Sequence, residues 1–120
     1  MTRYVDGYVL PVPKNKIADY RRLAQKAGKI FRELGALEYH ECVGDHLDVP
    51  FGLPFPTGIR TKPGETVVFS YIVYKSRAHR DKVNAKIMRD PRMAALCDPK
   101  DMPFDCKRML WGGFKTMVLA

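Results

Sequence analysis

The chain predicts an α+β fold, a four-stranded antiparallel sheet with two helices on one face in the βαββαβ order of ferredoxin-like domains, and three observations carry that prediction. Residues 65–75, E-T-V-V-F-S-Y-I-V-Y-K, are rich in β-branched and aromatic residues and apolar on both alternating faces, which reads as a central strand. Val67, Phe69, Tyr71 and Val73 point one way; Val68, Ile72 and Tyr74 point the other, with Ser70 breaking their row. Two segments, one before this strand and one after it, carry residues at helical spacing. Strand-like stretches at 4–12, 36–44 and 109–119 complete two split βαβ units.

The first strand ends in Pro11 and Pro13, which limit it to an edge or terminate it. A helix over 16–34 follows, with Ile17, Tyr20, Ala24, Ala27, Phe31 and Leu34 in one stripe that Leu23 and Ile30 widen. Asn15 is its expected N-cap, Gly35 its C-terminal glycine, and Gly28 a weak point inside it. The second strand places Leu37, Tyr39, Glu41 and Val43 on one face and Glu38, His40 and Cys42 on the other. Residues 45–64 are a loop whose prolines and glycines forbid regular structure, and its Phe51, Leu53 and Phe55 suit a lid or a strap that packs down. Ser76 is the expected N-cap of a helix over 77–89, which Asp90 and Pro91 stop before a short restart over 91–96. Gly112 and Gly113 in the last strand signal a bulge or a close backbone approach.

A length of 120 residues suits one domain, 1–120, with the loop at about 45–64 as an insertion; such a fold buries roughly two-thirds of its unfolded surface and needs no staple. Its 46% hydrophobic and 28% charged residues exclude a disordered chain. Cys42, Cys97 and Cys106 form no C-x-x-C, which points to reduced thiols and a cytoplasmic location. Asp6 stands where a signal peptide needs apolar residues, and no run reaches the roughly 20 apolar residues of a membrane span, so no membrane partner is expected. With both helices on one face, the central strand's other face needs a cover. A second copy packed sheet to sheet is the simplest, a homodimer, and the loop folding across the sheet is the competitor.

Three stretches resemble a YbaA-like family of uncharacterised bacterial proteins: Y-V-D-G at 4–7, S-R-A-H-R-D-K-V-N-A-K-I-M-R-D-P-R-M at 76–93 and M-P-F-D-C-K-R-M-L-W-G-G-F at 102–114. The resemblance spans nearly the whole chain. It departs at Cys106, where the family pattern expects glycine, and at Phe51, where an acid is usual. It implies a ferredoxin-like fold of the dimeric α/β-barrel type and no particular activity. Wider relatives of that fold include monooxygenases and isomerases that use the space between sheet and helices as a pocket, a likeness of fold that does not by itself carry function.

On that basis the expected function is a homodimeric protein with a small-molecule pocket, of monooxygenase-like or isomerase-like type if it is an enzyme. The alternatives are a nucleic-acid binder using basic helix faces and a structural dimer without catalysis. Glu41 is the leading candidate acid, because an acid among apolar neighbours on a strand face has its pKa raised by desolvation unless a cation such as Lys107 or Arg108 meets it. Asp6 is second, on a face with Tyr4, Tyr8 and Leu10, and His40 is a third group for proton transfer. Tyr8, Tyr39 and Tyr71 are candidate ligand contacts, and Asp105, Lys107 and Arg108 either bind an anionic group or pin their own loop. His40, Cys42, Asp45 and His46 lack a recognised ligand spacing, so no metal is expected. No P-loop, dinucleotide fingerprint, G-x-S-x-G or H-E-x-x-H occurs, and no cofactor is read from the chain.

The formal net charge of +8 brings nucleic acid into consideration. Arg21, Arg22, Lys26, Lys29 and Arg32 decorate the first helix; Arg77, Arg80, Lys82, Lys86 and Arg89 decorate the second. A solvated face explains both, and the strand V-V-F-S-Y-I-V-Y lacks the glycines of RNA-recognition motifs, so nucleic acid is not the expected partner.

Overall fold

The computed structural model describes residues 2–120. Its elements run β1 (Tyr4–Pro13), α1 (Ile17–Glu33), β2 (Glu38–Val43), α2 (Phe55–Gly58), β3 (Glu65–Tyr74), α3 (Arg77–Arg89), α4 (Pro91–Leu96) and β4 (Leu110–Lys115). The strands form one antiparallel sheet in the order β2-β3-β1-β4, the ferredoxin-like topology the patterning predicts.

Several local expectations shift for physical reasons. β1 is an interior strand in spite of its prolines. Its pairing with β4 ends at Val9, so Pro11 and Pro13 lie where no β4 residue needs their missing N–H groups. Asn15 does not cap α1; the chain enters through a tight turn, Lys14–Lys16, in which the Ile17 N–H bonds the Lys14 carbonyl. Gly35 does follow α1 with φ +123°, a conformation that L side chains rarely adopt. Gly28 is a requirement of packing, not a weak point: a Cβ there would stand 2.6 Å from Cδ1 of Tyr39. The loop contains one helical turn, α2, which tolerates Pro56 because first-turn N–H groups have no intrahelical acceptor. β4 stops at Lys115, opposite Tyr4, since beyond one bond from the Thr116 N–H to the Arg3 carbonyl there is no strand left to pair with. Gly113 marks a close approach without a bulge, because a Cβ would lie 2.7 Å from an Arg80 nitrogen and the register runs on unbroken. Ser76 caps α3 as expected, its hydroxyl accepting from the His79 N–H at 3.1 Å.

The register places Asp6, Tyr8, Leu10 and Val12 of β1 opposite Ile72, Ser70, Val68 and Thr66 of β3 on the face that α1 and α3 cover. Two apolar clusters fill that layer, one around Ile72, Tyr74, Val83 and Ile87, the other around Leu10, Val12, Tyr20 and Val68. The opposite face carries Val5, Val9, Phe69, Tyr71, Leu110 and Phe114. The loop covers only one end of it: Phe55 meets Phe69 edge to face at 6.5 Å, while Phe69 stays 44% exposed, Leu110 58% and Phe114 62%. Among the described residues no helix is long and apolar enough to cross a membrane.

Candidate functional site

Register brings Tyr8, Ser70 and Glu41 into one row across β1, β3 and β2, on the helix-covered face. Ser70 is a small polar residue between Val68 and Ile72 in β3's inward row, and the space it leaves opens into a cavity of about 200 Å³ between the sheet, α1 and the segment after α4. Leu23, Phe31, Met93 and Phe104 make its walls apolar; the Glu41 carboxylate, the Ser70 hydroxyl and three tyrosine hydroxyls are its polar groups.

Among the described residues no cation lies within ion-pair distance of Glu41. Tyr20 of α1 donates to its Oε1 at 2.7 Å, and Tyr39, two residues away on the same strand, donates to Oε2 at 2.8 Å. Burial raises the carboxyl's pKa above the ordinary glutamate value, and the bonds from Tyr20 and Tyr39, with the Ser70 hydroxyl nearby, offset part of that rise. Both phenols are driven well above the usual tyrosine range, first by burial and then by the adjacent carboxylate. They therefore stay protonated and donate to the carboxyl. Tyr8 is raised too, by burial first, with Asp6 and Glu41 both contributing. The result is a carboxyl whose pKa is raised by burial, held by two phenol donors at the wall of an apolar chamber.

Asp6 stands one row away, opposite Ile72 and Gly113, and is fully buried under α3. It does not line the cavity. Its neighbour is Arg80, whose Nε lies 3.5 Å from Oδ1; Arg80 in turn donates to the Tyr4 hydroxyl at 3.1 Å and lies over that ring. Arg80 therefore points inward, and the outer basic face of α3 is correspondingly reduced. Neither Asp6 oxygen has a partner in hydrogen-bond geometry. Burial raises the Asp6 pKa, and Arg80 and Asn84 pull it back only in part.

The remaining candidates lie elsewhere. His40 stacks on Tyr71 at 4.5 Å and contacts Glu38 at 3.0 Å, so His40 and Tyr71 occupy the open sheet face, away from Glu41. Arg108 makes a two-pronged pair with Glu65 at 2.7 and 2.9 Å and donates to the Arg60 carbonyl, while Asp105 caps the turn through the Lys107 N–H. That pairing ties the segment before β4 to the start of β3 and holds Arg108 on Glu65 instead of Glu41. Sequence reasoning missed Tyr20, which it placed in the apolar stripe of α1, and did not see Ser70 as more than a break in a row. The break itself was the signal.

The comparisons agree with this architecture. A family described as "Protein of unknown function (DUF1428)" matches residues 3–106, and the chain belongs to it. "Uncharacterized protein YbaA" of Escherichia coli strain K12 is 44% identical over 118 residues, covering 97% of each chain, and the protein of that name in Shigella flexneri matches equally. Among solved structures, a dimeric ferredoxin-like protein from an uncultured marine organism aligns over 100% of this chain and 98% of its own, with a TM-score of 0.52 and 12% identity. At that identity the likeness concerns the fold.

Proposed function

We propose that this member of the DUF1428 family binds a small organic molecule in the cavity beneath α1 and that Glu41 transfers a proton to or from it. The observation that carries the reading is a carboxyl held by two phenol donors, with no cation in ion-pair reach among the described residues, at the wall of an apolar chamber. A structural acid buried at such a place is ordinarily matched with a base, as Glu65 is with Arg108. Here the fold keeps the acid and leaves the adjoining space empty of side chains, which suits an isomerase-like or oxygenase-like step in which a carbon- or oxygen-bound proton moves. Tyr8 and Tyr39 are the ligand contacts; Tyr20 orients the carboxyl. Asp6, outside the cavity wall, serves the fold, and His40 takes no part in this chemistry.

The test is a carboxyl titration by NMR together with a fragment screen by thermal shift on the native chain and on Ser70→Leu, which fills the chamber. The expected result is a Glu41 pKa above the ordinary value and fragments that protect the native chain alone. An unshifted carboxyl, or fragments indifferent to Ser70→Leu, defeats the reading.

The chain works as a homodimer through its open sheet face. Val9, Phe69, Tyr71, Leu110 and Phe114 form an apolar surface that the loop covers only at its Phe69 end, and the solved protein of similar fold is itself dimeric. Light scattering behind a sizing column should return twice the 13.7 kDa chain mass, and Phe114→Glu should halve it without unfolding the protein. A native monomer at tens of micromolar ends this part of the proposal.

A further inference from the structure

On the far side of Glu41 a second, larger depression of about 610 Å³ runs between α1 and the edge strand β2. It shares Tyr20, Ala24, Tyr39 and Glu41 with the inner cavity, so these residues form a common wall. Its rim is cationic. Arg21, Lys29 and Arg32, spaced along one side of α1, line it, and Glu41 is the only acid that does. Among the described residues neither Arg21 nor Lys29 has a carboxylate within ion-pair distance, whereas Arg22, on the neighbouring side of the helix, is paired with Asp19. Arg32 donates to the Ala36 and Leu37 carbonyls, which fix its guanidinium at the end of the groove and leave its charge uncompensated. The floor is apolar, with Val43 and Val68 beside the tyrosine rings. Gly28 gives the groove its depth, because a Cβ there would push the Tyr39 ring aside.

We infer that the molecule on which Glu41 acts is an amphipathic organic anion that spans the two spaces, its carboxylate or phosphate seated over Arg21 and Lys29 in the groove and its apolar body reaching past the Tyr20–Glu41–Tyr39 wall into the inner cavity. Charge complementarity decides the occupant. Three cations around an apolar floor attract an anion with an apolar body, and the single acid in reach is held by phenols in a site that favours its neutral form. A neutral apolar ligand would leave the rim unused.

This inference rests on the cavity reading, and calorimetry with octanoate, octyl phosphate and octanol separates the two. The expected result is octanoate or octyl phosphate binding roughly tenfold tighter than octanol at low salt, an advantage that fades as salt rises. Arg21→Gln/Lys29→Gln should bring the anions down to the octanol level, while Arg22→Gln/Lys26→Gln, the same loss of charge on another side of α1, should leave the advantage intact. All four positions are exposed, so folding is not at stake. The better of the two anions identifies the head group, and a change in the Glu41 carboxyl resonance on binding supports contact at the wall. Octanol binding as tightly as the anions overturns the inference and spares the cavity reading. Failure of all three ligands to bind overturns both. An RNA oligonucleotide that binds through Arg21 and Lys29 while octanoate does not would assign the groove to nucleic acid and overturn it as well.

Discussion

Asp6 and Glu41 stand one row apart on the same face of the sheet, and the fold has treated them in opposite ways. Asp6 is closed off from solvent and given a guanidinium at 3.5 Å, without a hydrogen bond of good geometry. Glu41 is half-buried, given two good hydrogen bonds, and left facing empty space on both sides. Burial raises the pKa of each. The difference lies in what removing a partner would do: Asp6 depends on one charge from a distant helix, Glu41 on two neutral donors that position it.

The largest effect should follow from Arg80→Leu, which strands the Asp6 carboxylate. Breaking a buried pair by removing one partner costs about 3–5 kcal/mol, measured by urea unfolding near neutral pH. Asp6→Asn in the same chain should recover much of the loss, because no charge then remains to be stranded. The pH dependence follows from the raised pKa. A folded-state acid that keeps its proton while the unfolded chain has released it loses stability as pH rises from the unfolded pKa through the folded one. Removing Arg80 raises the Asp6 pKa further, so the penalty in Arg80→Leu should shrink on acidification. A loss that is small and independent of pH would show that Arg80 matters only through its stack on Tyr4.

Gly28→Ala touches the other acid through its donor. Alanine improves helix propensity by roughly 0.5–1 kcal/mol, but its Cβ falls 2.6 Å from the Tyr39 ring, a contact that real structures do not contain. Overpacking costs about 1–3 kcal/mol and should win. The same shift pulls the Tyr39 hydroxyl from Oε2 of Glu41, so the carboxyl pKa should climb, an effect that a merely structural clash at a remote site would not produce. A stabilised variant with Glu41 unchanged would mean that α1 can move away without disturbing the site.

These two acids also show how far the chain could be read in advance. Alternation alone put Glu41 among apolar neighbours and Asp6 on a face with Tyr8, because period-2 orientation is local. The separation of Asp6 from the cavity was not visible. It depends on Arg80 folding inward across Gly113, a contact between residues far apart in the chain, whereas helical periodicity put Arg80 with the solvated cations. His40 followed the same rule of alternation to the opposite sheet face, which a fixed strand register makes unavoidable. The partners of Glu41 escaped because a tyrosine in an apolar stripe carries no sign of where its hydroxyl goes. The two-faced apolar strand, by contrast, was enough to anticipate a sheet with one open side.

The smallest effect is expected of Glu41→Gln, and its direction discriminates most. The amide keeps the shape of the carboxyl and can still accept from one phenol while donating to the other, so packing is preserved. What disappears is the charge that burial disfavours. Because the folded-state pKa lies above the ordinary 4.5, the native chain loses stability as pH rises from that value through the raised one, and the full penalty is present above it. The glutamine variant has no such titration, so its stability relative to the native chain should grow across the same window and end above it at neutral pH by about 1 kcal/mol. Thermal melts from about pH 4 to about pH 8 on both proteins resolve the slope. A more stable mutant marks a carboxyl that the fold does not need, kept at some cost in stability, as expected of a group retained for chemistry. If the variant is instead less stable at neutral pH, the Tyr20 and Tyr39 bonds outweigh the burial of the charge; the acid is then structural, and the cavity has no proton carrier.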